Sequence, residues 1–284
     1  MSARLALSLA FTLALPTAAH AITNGTNSPT ITPLASGQIL AIGFLRDGDG
    51  SFCTGTVIRH DVVLTAYHCV DGRRPEDLQF GIGPAASPLA LLDVKRISMA
   101  DWETDIALIQ LDGSATSVSG LQLIPINRTP LDEALVDARV EIAGYAAING
   151  ISLRHFAVLT VTSVFEAVAL DGFGVTGACK GDSGGPFLLV DDADHVTIGG
   201  TASSGNLSCR DKVYYSRVDR LAAWVDQELA WFSKDTNDGS ATQGSRVSAP
   251  EPWDCAAGGA SSGVPVLMAV GAIVAMAARA RRRA

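Results

Sequence analysis

Basic residues are scarce in this chain: 21 Lys and Arg stand against 29 Asp and Glu, for a net charge of −8. Nucleic-acid binding needs a basic face to neutralise phosphates, so this balance argues against nucleic acid as a partner. Charge of either sign is low as well. It amounts to 18% of 284 residues, too little for a disordered or coiled-coil protein. Long helical patterns are missing from most of the sequence, while 28 glycines are present, which leans towards β structure. No internal repeat is visible, and no metal constellation, so neither a metal nor another cofactor is expected.

What is present begins with the two ends. Arg4 is followed by an apolar run from Leu5 to Leu15, then Pro16 and the small-residue site Ala19-His20-Ala21. This is the layout of a secretory signal, cut by signal peptidase after Ala21. Export implies an oxidising compartment, so the five cysteines read as a disulfide framework with one left over. At the other end, Ser233 to Asp254 is polar and rich in Ser, Gly and Pro, as a linker is. Cys255 follows, and from Ala256 to Ala278 no residue is charged. That length is near the roughly 20 residues a helix needs to span a membrane. The cluster Arg279 to Arg283 would hold its far side in the cytoplasm. The expected order is therefore a signal peptide at 1–21, a folded unit at 22–232, a linker at 233–254 and a terminal segment at 255–284.

Within the folded unit, short apolar runs recur between turn signals: "ILAIGFL", "TVIRHDVVLTA", "IALIQL", "VEIAGYA", "FAVLTVTSVF", "FLLV", "VTIGGTA" and "VYYSRV". One segment is clearly helical, with Asp219 as its candidate cap and Leu221, Trp224, Val225, Leu229 and Phe232 on one face. Many strands and one terminal helix predict an all-β barrel or sandwich, which by itself says nothing of function.

Three separated stretches carry chemistry. Gly181-Asp182-Ser183-Gly184-Gly185-Pro186 sets a serine among glycines, where its hydroxyl is uncrowded and backbone N–H groups can converge on one oxygen. A free serine is a poor nucleophile and needs an adjacent base. Leu64-Thr65-Ala66-Tyr67-His68-Cys69 supplies His68 at the end of an apolar strand, and Thr104-Asp105-Ile106-Ala107-Leu108 supplies a carboxylate to fix its tautomer.

The chain order His68, Asp105, Ser183 is that of the chymotrypsin type and differs from the subtilisin and α/β-hydrolase orders. Together with "ITNGT", "TAYHC", "TDIALIQL", "CKGDSGGPF", "VYYSRV" and the final helix, it makes the body of the chain resemble the chymotrypsin/trypsin-like serine endopeptidases. The resemblance implies two packed antiparallel β-barrels with a C-terminal helix, and a cleft between the barrels where His68, Asp105 and Ser183 cleave protein or peptide substrates. It implies an oxyanion hole from the N–H groups of Gly181 and Ser183. Four cysteines allow three pairings. The family pattern picks Cys53 with Cys69 and Cys179 with Cys209, leaving Cys255 unpaired. It also implies an activation pair in which a free Ile22 amine sits beside Asp182. Most relatives carry Lys or Arg before that Ile, so that a protease must cut there. Here Ala21 precedes it, so signal peptidase itself would create the activating terminus.

The same resemblance locates a substrate pocket. Its base is Gly177, where trypsin-like members have Asp, so a preference for Lys or Arg is not expected. Ser203-Ser204-Gly205 forms its wall, and Lys180 lies beside the serine loop. Relatives commonly have a glycine two positions before a tyrosine near Lys212-Val213-Tyr214-Tyr215. Depending on which tyrosine matches, its substitute is Lys212, favouring an acidic side chain, or Val213, favouring a small or medium apolar one. Cys255, Gly258-Gly259, the apolar span and the arginines resemble the tripartite sorting signals of Gram-negative bacteria, in their myxobacterial or Gly-Gly form. That resemblance implies a C-terminal sorting enzyme as a partner and either secretion or anchoring at the cell surface. An uncleaved anchor through the membrane is the alternative for the tail. A catalytically idle binding or adhesive protein is the alternative for the body, although His68, Asp105, Asp182 and Ser183 are all kept.

Overall fold

The computed structural model describes residues 22–145, 153–206 and 208–234. The signal segment, the linker beyond Lys234 and the terminal segment with Cys255 lie outside the described residues. Among the described residues no helix is long and apolar enough to cross a membrane. The strands are β1 (Ile42–Asp47), β2 (Gly50–Arg59), β3 (Val62–Thr65), β4 (Gln79–Ile82), β5 (Ala90–Met99) and β6 (Ala107–Leu111). They continue with β7 (Arg139–Gly144), β8 (His155–Val164), β9 (Ala167–Asp171), β10 (Pro186–Val190), β11 (Val196–Gly205) and β12 (Val213–Arg217). Antiparallel pairing closes them into two barrels, β1-β2-β3-β6-β5-β4 and β10-β11-β12-β9-β8-β7. Closure satisfies every strand edge internally. A short helix α1 (Ser36–Ala41) precedes the first barrel, and α2 (Ala222–Lys234) follows the second.

Two apolar clusters fill the barrels, and the first also takes in Phe156, Leu188 and Ile198 from the second barrel. Phe44, Leu45, Leu64, Phe80 and Ile109 pack the first, whose cluster extends to Val225 and Phe232 of α2. Ile142, Leu159, Val161, Leu170, Phe187 and Tyr215 pack the second, with Ile22 among them. Burying a Leu or Phe fully contributes about 1.5–3 kcal/mol, so these layers supply most of the gross stabilisation.

Some elements differ from the sequence reading. β4, β5 and β9 lie outside the apolar runs singled out above. In β5 only Val94 is buried, and Asp93, Lys95 and Arg96 interrupt its pattern. Ile39 to Ala41 of "ILAIGFL" turn into α1, where Gln38 Oε1 accepts the Ala35 N–H at 3.0 Å. Asp219 does not cap α2. Its carboxylate is taken by Arg217 at 2.6 Å and by the Leu131 N–H at 2.9 Å, two bonds that outbid a cap.

The segment after Ile22 is laid across the second barrel. Thr26 exchanges two backbone hydrogen bonds of 2.8 Å with Phe156 on β8. Glu141 on β7 is fully buried and gathers the N–H groups of Thr30 (2.6 Å), Ile31 (3.2 Å) and Thr32 (2.9 Å) together with the Thr30 hydroxyl (3.2 Å). A carboxylate is the one side chain that accepts from all four donors at once. Glu141→Gln should therefore turn an NH2 towards N–H groups and destabilise the fold by about 1–3 kcal/mol. Urea unfolding of the two proteins measures this, and equal midpoints would contradict the role given to Glu141.

Candidate active site

His68 stands on a single helical turn, Tyr67–Cys69, immediately after β3. Asp105 sits just before β6 with φ +46°, a left-handed conformation that Asp tolerates better than most residues. That turn sends its carboxylate back towards the histidine. Asp105 Oδ2 lies 2.9 Å from His68 Nδ1, and Oδ1 accepts the His68 backbone N–H at 2.9 Å. The carboxylate thus fixes both the ring and the peptide that carries it. Ser203, expected at the pocket wall, lies close enough to Asp105 to lower its pKa. β11 pairs Ala202 with Tyr215 and Ser204 with Tyr214, so Ser203 is the extra residue of a bulge. Such a bulge re-aims one side chain. Burial pushes the Asp105 carboxyl up, but the His68 ring, the nearby Ser203 and the His68 amide outweigh it and hold it below the usual carboxylate range.

Ser183 is half-buried in the loop between Cys179 and β10. The disulfide Cys53–Cys69 lies against it: Cys69 Sγ is 3.8 Å from His68 Nε2 and 3.7 Å from the Ser183 carbonyl oxygen. His68 and Ser183 are therefore brought to one place, from different barrels. Gly184 has φ +78°, and a Cβ there would fall 2.2 Å from Thr65 Oγ1 and 2.5 Å from the Thr54 carbonyl oxygen. Only glycine lets the serine loop come this close to the first barrel. Gly181 also has a positive φ, +98°. Among the described residues neither the Gly181 N–H nor the Ser183 N–H has an acceptor, so both remain available to an added oxygen.

The second disulfide, Cys179–Cys209, ties the start of the serine loop to the segment before β12. Both bridges are those the family pattern picked. Gly177 is buried, and its carbonyl accepts the Thr23 N–H at 2.9 Å, so the chain after Ile22 runs directly beneath it. Ser204, Gly205 and Lys180 are exposed. Tyr215 is the buried tyrosine and Tyr214 the exposed one, which puts Val213 inside and Lys212 in solvent. A Cβ built on Gly205 would lie 3.4 Å from Val213 Cγ2, so this valine fills the space beside the wall. One cluster of metal-type ligand atoms occurs among the described residues, Cys53, His68 and Cys69. Both its sulfurs are in the disulfide, which removes the thiolates a metal would use.

Beneath Ser183, Asp182 is 1% exposed and accepts the Cys179 N–H at 2.7 Å and the Ile22 nitrogen at 3.0 Å on Oδ2. Among the described residues its Oδ1 has no hydrogen-bond partner.

Known proteins resemble this chain over the same region. A family profile described as trypsin matches residues 32–225. The chymotrypsin of Phaedon cochleariae is 27% identical over 215 residues, which cover 63% of this chain and 72% of that protein. Chymotrypsin-like elastase family member 1 of Bos taurus is 26% identical over 214 residues, covering 63% of this chain and 79% of that one. Its counterpart from Felis catus is 27% identical over 218 residues, with the same shares.

The partners of Asp182 set a pH dependence. With residue 21 still attached, the Ile22 nitrogen is a peptide amide, a neutral donor. Burial then pushes the Asp182 carboxyl up to about 7, more than the bonds from Cys179 and Ile22 bring it down. Between roughly 4 and 7 the folded chain keeps a proton that the unfolded chain has released, so stability falls as pH rises through that window. Protein with an intact Ala21–Ile22 bond should show this slope in its denaturation midpoint. Asp182→Asn should lack it, and parallel profiles for the two would refute the assignment.

Proposed function

The chain belongs to the trypsin family, and from that premise we propose that it is an exported serine endopeptidase acting through His68, Asp105 and Ser183. His68 Nε2 takes the Ser183 hydroxyl proton as Oγ bonds to a peptide carbonyl carbon. The carbonyl oxygen becomes an oxyanion and accepts from the N–H groups of Gly181 and Ser183. Collapse of this intermediate breaks the C–N bond, and His68 passes its proton to the leaving amine. Water, deprotonated by the same ring, then cleaves the acyl-enzyme and regenerates Ser183. Asp105 keeps the ring oriented and stabilises its charged form. What supports the reading most is the His68–Asp105 pair beside a serine whose loop offers two unpaired N–H groups. Donors of this kind are worth about 10²–10³ in rate each.

Signal peptidase, cutting after Ala21, is proposed to be the activating enzyme. In the uncut chain Ile22 has φ +31°, a strained value for a β-branched residue. Hydrolysis abolishes that torsion. It also converts a neutral amide with one hydrogen into an ammonium with three, supplying the unpartnered Asp182 Oδ1 and a counter-charge. A buried carboxylate left without its partner typically costs about 3–5 kcal/mol, so the terminus would hold the serine loop in its working shape. The terminal segment from Cys255 is proposed to direct the exported enzyme to the surface or medium through a sorting enzyme.

For specificity, buried Val213 supports a small or medium apolar side chain before the scissile bond, and exposed Lys212 offers nothing inside the pocket. Two outcomes are expected. Protein secreted with its native signal, and given no activating protease, should cleave a mixed peptide library after small or medium apolar residues, while Ser183→Ala should be inert. Absence of cuts from the secreted protein would defeat the activation scheme. Val213→Gly should then raise kcat/KM for Phe relative to Ala before the scissile bond by about tenfold or more, since one or two carbons of pocket space discriminate at that level.

A further inference from the structure

We infer that Thr54, given the peptidase reading above, is a positioning residue for the oxyanion hole. Thr54 lies on β2 next to Cys53 and is fully buried. It makes four hydrogen bonds, and all of them leave its own strand for the elements that carry the reaction. Its backbone N–H donates to the Ser183 carbonyl at 2.8 Å. Its hydroxyl donates to the Gly181 carbonyl at 2.8 Å and accepts the Tyr145 N–H at 2.8 Å. Its own carbonyl accepts the Thr65 hydroxyl at 2.8 Å, three residues before His68.

The direction of the hydroxyl is not free. A backbone N–H can only donate, so the Tyr145 amide occupies a lone pair of Oγ1, and the hydroxyl hydrogen is left for Gly181. The result is a relay, Tyr145 N–H to Thr54 O–H to Gly181 C=O, among buried residues, where successive hydrogen bonds strengthen one another. One residue of the first barrel thus grips the carbonyls at both ends of Gly181-Asp182-Ser183. These carbonyls alternate along the backbone with the N–H groups that would receive the oxyanion. Holding the first fixes the peptide torsions that aim the second. Gly181, at φ +98°, has no side chain to restrain it, so the restraint has to come from outside the loop. Thr54 supplies it, while the Asp182 carboxylate ties the same loop to Cys179 and Ile22.

Thr54→Val keeps the size and the backbone bond to Ser183 but deletes the relay. Thr54→Ser keeps the hydroxyl. Both are to be made in the processed enzyme and compared with wild type and Ser183→Ala. The readouts are kcat and KM on a peptide amide, affinity for a peptide aldehyde that forms an oxyanion on Ser183, and affinity for a product-like peptide that forms none. Thr54→Val should lower kcat by about ten- to a hundredfold with KM nearly unchanged, because small misplacements of catalytic donors cost that much. Aldehyde affinity should fall in parallel while product-peptide affinity holds, and Thr54→Ser should recover most of the loss. An active wild type with an equally active Thr54→Val overturns this role alone, as does a Thr54→Ser as impaired as the valine variant. A wild type as inert as Ser183→Ala removes the peptidase reading and this role with it. Should Thr54→Val not fold, Thr54→Ala, which adds no volume, is judged by the same criteria. Failure of both to fold assigns Thr54 to stability only and overturns the proposal.

Discussion

A carboxyl group sealed from water dictates much of the structure around it. Asp182 is buried beneath Ser183, and it must be protonated, hydrogen-bonded or faced by a positive charge. That requirement recruits the Cys179 N–H from its own loop and the Ile22 nitrogen from 160 residues earlier in the chain. It also excludes side chains from the opposite strand: a Cβ on Gly144 would lie 2.3 Å from Asp182 Oδ1. Tyr215, buried in the same barrel, has its hydroxyl pushed well above the usual range by burial and by the negative charge nearby. The chain after Ile22 follows from the same demand. Its bonds to Gly177, Phe156 and Glu141 fasten it over the second barrel and deliver Ile22 to the carboxyl.

The two barrels divide the remaining work. Each is closed, so neither needs the other to satisfy its strands, but Ala143, Phe156, Leu188 and Ile198 of the second barrel join the apolar cluster of the first. Their junction combines this apolar packing with specific polar contacts. Thr54 and Thr65 from the first barrel meet Gly181, Ser183 and Gly184 of the second through short hydrogen bonds and one close backbone approach. The disulfide Cys53–Cys69 braces this same corner, touching both His68 and Ser183. In the proposed mechanism the proton donor and acceptor come from different barrels, so their alignment depends on this junction rather than on either core.

Much of this was legible beforehand, for identifiable reasons. β3, β6, β7, β8 and β10 to β12 appeared as apolar runs because half or more of their residues are buried. β5 did not, because one face of it is wet and charged. The candidate triad was visible because histidine, aspartate and serine stood in short distinctive contexts and in a telling order. The choice between Lys212 and Val213 was not visible, since it turned on which of two adjacent tyrosines points inward. Strand register sets Val213 opposite Gly205 and Tyr215 opposite Ala202, and this is what favours Val213 in the proposed pocket. The bulge that makes Ser203 an extra residue of β11 was not visible either, since no periodicity announces a bulge.

By itself the sequence determined the fold class, the order of the candidate residues, the cysteines available for pairing and the absence of a basic residue before Ile22. All of these are properties of residue identity and spacing along one chain. Tertiary structure alone decided that Val213 is buried while Lys212 is exposed, that Ser203 sits in a bulge of β11, and that Thr54 links the two barrels at the serine loop. These depend on contacts between residues far apart in sequence, such as the 127 positions between Thr54 and Gly181. A threonine on a buried strand is unremarkable until the folded chain brings to its hydroxyl a carbonyl that needs a donor.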